Sequence, residues 1–510
     1  MQPECTCSSP LFQKLLPDAP FGRRRLWALL LVVLTSGCGQ SVTTIDPIPE
    51  KPYQHKDLRV SCSPSIDALP IEQFGNEWVL QQGGGVRIQR ERPERFSKND
   101  VAIVSAAELP ALAETGRYLP VPTYFQSPDH FYQWSGLLPN YAGLLSIWNG
   151  ETYGVPLLGE GHVLVYRKDV FDGNKQIVPE TWEHFVAAAE ALAKPGQPSL
   201  PALPVRPVDL EAEFHRIAAC YDRPVIHQSD AEAQIRHEDT ADQLYSYQYR
   251  LKTAEPRINA PAFVHAFLLM RRIQLCRVPG ELGEWADPLA SFRDGKISLG
   301  IATLADVARF QTLGSPVRGK FGVAPLPGAR FTFNWDDGKK ISTPRNRVNR
   351  MPYVGAGSWF GLVSKDCANP DVAFEFLAGF AHPEKMGAEL ITAAKWGAGP
   401  FRAVHTEERA RGLWLGYDLP LKDTEALIEA LKQNNPSSLI NPRYCLRLPN
   451  QSRHLDEFDK IVRPALLATK ADPQVTMDEV AQHWRQLWND VPEAKKKAWI
   501  RNSHGLSGGH

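Results

Sequence analysis

Residues 153–193 change their apolar period once, from that of a strand to that of a helix. No other stretch constrains the fold as much. A Tyr153-Gly154-Val155-Pro156 turn leads to residues 163–166, a β-branched and aromatic run that reads as a strand. Arg167-Lys168-Asp169 ends the run, and a loop continues to Pro179. Thr181 then offers a helix N-cap. His184, rather than Glu, stands three residues on, so the capping box is incomplete. Trp182, Phe185, Val186, Ala189 and Leu192 recur at helical spacing until Pro195-Gly196 stops the helix.

The preceding hundred residues repeat the alternation. Residues 58–62, 86–88 and 100–105 read as strands, with loosely helical stretches at 66–80 and 109–115. Gly83-Gly84-Gly85 has no following Lys-Ser/Thr and reads as a turn rather than a phosphate loop. Strands alternating with helices predict an α/β unit with a mostly parallel sheet. Ligands in such sheets lie beyond the carboxyl ends of the strands. That rule selects Ser63, Ser65 and Ser105 as candidate ligand contacts. Further helices are expected at 210–220, 261–276, 455–467 and 476–488. Residues 230–257 read as a polar surface elaboration, and 329–353 as an inserted hairpin or loop.

At 510 residues the chain is too long for one ordinary core. Lys+Arg and Asp+Glu are both 57, so the balance gives no support for a nucleic-acid partner. Cys62, Cys220, Cys276, Cys367 and Cys445 form no CxxC and lie near no ligand-spaced His pair, so neither a metal nor a cofactor is expected. Cys62 and Cys276 read as buried free thiols, while a Cys220–Cys276 disulfide stays open. No GxSxG, HExxH or phosphate loop is present, and no catalytic residue is assigned.

The amino terminus reads as an export signal. Arg23-Arg24-Arg25 precedes a short apolar run and then Thr35-Ser36-Gly37-Cys38. The run is about half the ~20 residues a spanning helix needs. Ser36-Gly37-Cys38 resembles a bacterial lipobox, with Thr35 where that motif usually has Leu. The resemblance implies a lipid on Cys38. The signal would occupy residues 1–38 and a polar tether residues 39–56.

Several segments together resemble family 1 extracellular solute-binding proteins, the sugar receptors of ABC importers. Gly154-Val155-Pro156 matches the family's G-[IV]-P turn. Tyr166 with Lys168-Asp169-Val170-Phe171 matches Y-x-[KR]-D-[VL]-F, and Pro179 with Thr181-Trp182 and Phe185 matches P-x-T-W-x-x-[FL]. Residues 289–301, 319–328, 354–364 and 369–380 match four later motifs, that at 319–328 almost literally. Gly399-Pro400-Phe401-Arg402 resembles the family's G-x-x-P-x-R turn. The likeness runs from about 58 to 488 and lapses at 230–257 and 329–353.

The resemblance implies two α/β lobes, each a mostly parallel sheet flanked by helices, with a ligand cleft at the hinge. Lobe 1 would comprise 57–156 and 354–405. Lobe 2 would comprise 157–353 and 406–490, leaving a polar tail at 491–510. A small carbohydrate would bind by aromatic stacking and hydrogen bonds. Tyr153, Glu160, Trp285, Trp335, Trp359, Trp396 and Arg402 fall at the implied cleft positions, whereas Trp182 and Trp488 read as core. The implied partner is a membrane permease, and the implied state a monomeric, extracytoplasmic lipoprotein. Two other classes remain open at this stage: a secreted carbohydrate-active hydrolase, and a lipoprotein that presents its ligand to a sensor.

Overall fold

The computed structural model describes residues 51–230, 241–280, 287, 289–344, 347–383, 399–407, 411–433 and 439–506. Strand Leu58–Cys62 lies between Val86–Arg90 and Val101–Ser105, parallel to both. Trp359–Ser364 then pairs antiparallel with Val101–Ser105, placing Trp359 opposite Ser105. Tyr118–Leu119 and Val155–Leu158 pair antiparallel with its other edge. Val101, Ala102, Ile103 and Val104 are all buried, because helices cover both faces of the sheet. Ser63, Ser105 and Trp359 thereby meet at one rim.

Strand His162–Arg167 is the centre of a second sheet, flanked by Leu299–Thr303 and Phe321–Ala324. Val163 and Val165 enter one core, while Leu164 enters the other, which explains the unbroken apolar run. Thr181 caps helix Trp182–Leu192 by accepting the His184 amide at 3.2 Å. Helices Pro207–Asp222, Pro261–Gln274, Gln451–Leu467 and Pro473–Gln486 pack together beside this sheet.

The sheets differ from expectation in direction. All pairings in the second sheet are antiparallel, and the first joins two parallel pairs to three antiparallel ones. The late strand Trp359–Ser364 returns from the other lobe and inserts beside Val101–Ser105. Apolar content reports burial on both faces but not strand direction.

Residues 246–257 are a surface elaboration only in part: Lys252, Thr253 and Glu255 are exposed. Tyr247 and Tyr249 are buried, and their hydroxyls are satisfied inside the helical packing. Tyr247 meets His215 Nδ1 at 3.0 Å and Tyr249 meets His454 Nε2 at 2.7 Å. The expected hairpin forms between Phe331–Phe333 and Lys340–Ser342. The expected polar tail contains helix Glu493–Ser503, which packs near strand Ile147–Trp148 and buries Ile500. Cys62, Cys220, Cys276, Cys367 and Cys445 are free and buried. The open Cys220–Cys276 pairing is therefore not made; each thiol faces the carbonyl four residues before it, Arg216 at 3.4 Å and Arg272 at 3.7 Å.

The chain passes between the sheets through Gly159-Glu160-Gly161. Gly159 and Gly399 form an antiparallel bridge, the Gly399 amide donating to the Gly159 carbonyl at 3.2 Å. A Cβ on Gly399 would overlap the Glu160 backbone, so only glycine allows this approach. A second passage pairs Tyr353–Val354 with Arg443–Tyr444. Just beyond, the fully buried Arg447 donates to the carbonyls of Ala106, Leu144, Leu145 and Ile147 at 3.0–3.3 Å.

Candidate ligand-binding cleft

A cavity of about 820 Å³ opens where the first sheet's rim faces the helix Pro207–Asp222 and the second sheet. That volume suits a small organic solute. A smaller pocket of about 50 Å³ continues from it, sharing Glu160, His162 and Arg216. Trp359 and Ser65 line the large cavity from the first lobe. Trp182, Arg216 and Thr303 line it from the second.

The charged groups are mostly paired. Arg206 forms a two-pronged pair with Asp209, at 2.7 and 2.9 Å. Arg277 pairs with Glu213 and also donates to the Pro201 and Ala202 carbonyls. Arg309 meets Asp306 at 3.3 Å. Burial raises the Asp306 pKa, partly offset by hydrogen bonds from the hydroxyl and amide of Thr303. Thr303 and Asp306 complete a capping box for helix Leu304–Phe310, and so fix the cleft-facing end of strand Leu299–Thr303.

Glu160 sits at the passage between sheets. Its amide donates to the Tyr141 hydroxyl at 3.1 Å, and its carboxylate accepts from the Gly357 amide. Burial raises its pKa, while the Gly357 hydrogen bond and the Arg216 charge pull it back. His162 Nε2 lies 3.0 Å from Arg216 Nη2. Burial and the Arg216 charge hold the His162 pKa well below its ordinary value. The imidazole is therefore neutral near pH 7 and its Nε2 accepts from the guanidinium.

Of the sequence candidates, Ser65, Glu160 and Trp359 line this cavity. Ser63 and Ser105 stand behind Ser65. All three hydroxyls donate to the Glu108 carboxylate, at 2.5, 2.9 and 2.8 Å for Ser63, Ser65 and Ser105. Their convergence follows from the parallel strand ends, but their protons already have an acceptor. Arg402 is buried, donating to the Gln133 and Ala381 carbonyls and lying over the Tyr132 ring at 4.6 Å. Trp335 lies beneath the guanidiniums of Arg223, Arg250 and Arg257, at 3.9–4.8 Å from its ring centre. Tyr153 packs at the loop whose Ser146 carbonyl accepts its amide. Arg402, Trp335 and Tyr153 are thus engaged elsewhere and do not line the cavity. Trp285, Trp396 and Cys38 lie outside the described residues. Trp182 is buried as expected, against Phe185, yet its surface also floors the cavity.

Sequence reasoning missed His162, Arg216 and Arg350. Arg216 had a visible signal: it is the one charged residue in the apolar run Phe214–Cys220 apart from His215. Among the described residues no group of three His, Cys, Asp or Glu could hold a metal ion.

Two lobes, close-running passages between them and an open cleft where they meet define a solute-binding receptor fold. The sequence matches the family model of the bacterial extracellular solute-binding proteins over residues 96–407, and the chain belongs to that family. An ABC transporter solute-binding protein from Agrobacterium radiobacter K84, in complex with ribitol, is 14% identical, with a TM-score of 0.62 over 86% of this chain and 100% of that one. Maltose-bound MalE3 of T. maritima is 14% identical, with a TM-score of 0.60 over 84% and 99%. The ABC substrate-binding protein Lmo0181 from Listeria monocytogenes, in complex with cycloalternan, is 16% identical, with a TM-score of 0.60 over 85% and 99%. No curated protein matches the sequence significantly. The family places the chain outside the cytoplasm. No described helix is long and apolar enough to cross a membrane.

Proposed function

We propose that this protein is the sugar-binding receptor of an ABC importer, monomeric, held at the membrane by a lipid on Cys38, and that it hands its solute to a permease. The observation that carries the reading is the cavity of about 820 Å³ with Trp359 on one side and hydrogen-bonding groups on the other. An aromatic face opposite polar groups suits the C–H and hydroxyl faces of a sugar. The ligands named for the similar structures, ribitol, maltose and cycloalternan, agree with this.

Binding rather than turnover is favoured by the state of the cleft carboxylates. Asp209, Glu213 and Asp306 are each occupied by an arginine, and Glu160 by the Gly357 amide. A glycosidase needs two carboxyl groups placed across the scissile bond.

The test is calorimetry with a panel of sugars and sugar acids. Trp359→Ala should weaken binding by about 1–3 kcal/mol, as for buried aromatic anchors, and leave folding intact. Wild-type affinity in Trp359→Ala would refute the site. Cys38→Ala should move the protein from membrane to soluble fractions; a membrane-bound variant of unchanged mass would refute the anchor.

A further inference from the structure

The cations of the cleft fall into two kinds. Arg206, Arg277 and Arg309 each sit against a carboxylate. Arg216 and Arg350 do not. Arg216 donates to the neutral His162, and Arg350 Nε donates to the Leu326 carbonyl at 3.1 Å. Neither lies within ion-pair distance of a carboxylate among the described residues. Both line the small pocket that continues the cleft toward Tyr353.

We propose that this end of the cleft is a carboxylate subsite, in which Arg216 and Arg350 receive the acid group of a sugar acid. The proposal rests on the receptor reading above and narrows its ligand from sugars in general to carboxylated ones. Three arguments support it. Arg216 feels the charges of Glu160 and Glu211, and Arg350 that of Glu180, but none of these carboxylates is in direct ion-pair contact, so an anionic ligand would supply the close partner each guanidinium lacks. The planar fork of arginine matches a carboxylate in two-pronged geometry. The local charge also balances. The pocket lining carries Arg216 and Arg350 against Glu160, with His162 neutral. Glu211, behind Tyr353, is held toward its protonated form by burial, its pKa raised to about 7, so the lining favours a singly charged anion. A dianionic phosphate beside Glu160 would leave one negative charge over. Glu160 already feels the Arg216 charge, but it cannot move into direct contact with the guanidinium without losing the Gly357 amide.

Trp359 reaches the same cavity from the opposite lobe. The acid end of the solute would therefore lie at the passage, with its ring or polyol body toward the tryptophan.

Calorimetry on the purified protein with glucuronate, gluconate, glucose and glucose 6-phosphate tests this. At least one of the two acids should bind about tenfold or more tightly than glucose, as one charge-assisted pair implies. Arg216→Gln should erase that preference while melting near the wild-type temperature. If Arg216→Gln misfolds, Arg350→Gln gives the same reading. Glucose binding as tightly as both acids overturns the subsite and leaves the receptor reading standing. An acid preference that survives in both variants, or preference for glucose 6-phosphate, also overturns the subsite. Binding of none of the four overturns the subsite as proposed, and binding of other neutral sugars would then show whether the receptor reading survives.

Discussion

Arg447 offers the sharpest test of how the second passage is held. Its side chain is fully buried, and its Nε and both Nη atoms donate to four carbonyls: Ala106, Leu144, Leu145 and Ile147. Burial pulls its pKa down to about 10, so the group remains a cation at neutral pH. Arg447→Met keeps the length and removes every donor. Each carbonyl left buried without a partner costs about 1–3 kcal/mol, that of Leu144 excepted because it also accepts the Ser146 amide, and the cation's own desolvation penalty is recovered. The balance should be a loss of about 3–5 kcal/mol, the range for breaking a buried charged network. Arg447→Lys keeps the charge but cannot reach four acceptors in different directions, so it should fall between wild type and Met. Urea unfolding with matched m-values measures both. A Met variant within about 1 kcal/mol of wild type, or a Lys variant equal to it, would refute the idea that the fork joins residues 443–448 to the 144–147 loop.

Glu211 is buried, hydrogen-bonded to the Tyr353 hydroxyl at 2.7 Å, and burial lifts its pKa from 4.5 to about 7. Its raised value stabilises the fold below the ordinary carboxylate pKa. That contribution falls away as pH rises to about 7, by an amount on the order of 3 kcal/mol. The difference in stability between wild type and Glu211→Gln should therefore shift in favour of Gln across this window; a pH-independent difference would refute it. His405 and His454 are buried, and burial lowers their pKa values to about 3 and 4. Their stabilising effect is complete above the ordinary histidine pKa and is lost as pH falls through the lowered values, so unfolding should take up protons between about pH 6.5 and 4. Acid melting curves without such a slope would contradict the neutral burial. Gly399→Ala should lose ligand binding or fail to fold, since the new Cβ has no room beside Glu160; a folded variant with normal affinity would refute the close passage.

Much of this molecule was legible where local chemistry decides. Thr181, the period of Trp182–Leu192 and the run at 163–166 mark their elements without reference to anything distant. The rim rule brought Ser65 to the cavity because strand ends are local features too. What could not be read depends on partners far along the chain. Trp359 strand direction is set by an insertion more than 250 residues after Val101–Ser105. Arg402 looks like a cleft cation until Gln133 and Ala381 close around it. Trp335 lies in a loop rich in charge, and only the fold shows that three arginines from other segments occupy its ring. Residues 246–257 read as solvated because seven of the twelve are Ser, Thr, Gln, Glu, Lys or Arg. Yet Arg257 reaches the buried Asp222 at 2.9 Å, and both tyrosine hydroxyls find histidines, so these buried side chains are satisfied while Lys252, Thr253 and Glu255 stay exposed.

The arrangement of the cleft ties affinity to lobe position. Trp359 belongs to the first sheet, Arg216 to a helix packed beside the second, and Glu160 to the glycine-flanked passage between them. A solute touching only Trp359 gains the same contact in any lobe arrangement and shifts nothing. One touching Trp359 and Arg216 together gains both contacts only when the lobes hold them at the distance the solute spans. Its binding energy then favours that arrangement by its differential affinity and no more. Removing either contact should therefore reduce affinity and closure together. Trp359→Ala and Arg216→Gln should both diminish any ligand-induced decrease in radius of gyration measured by small-angle scattering. A variant that keeps full compaction at saturation with tenfold weaker binding would separate the two and show that closure is driven from elsewhere in the cleft.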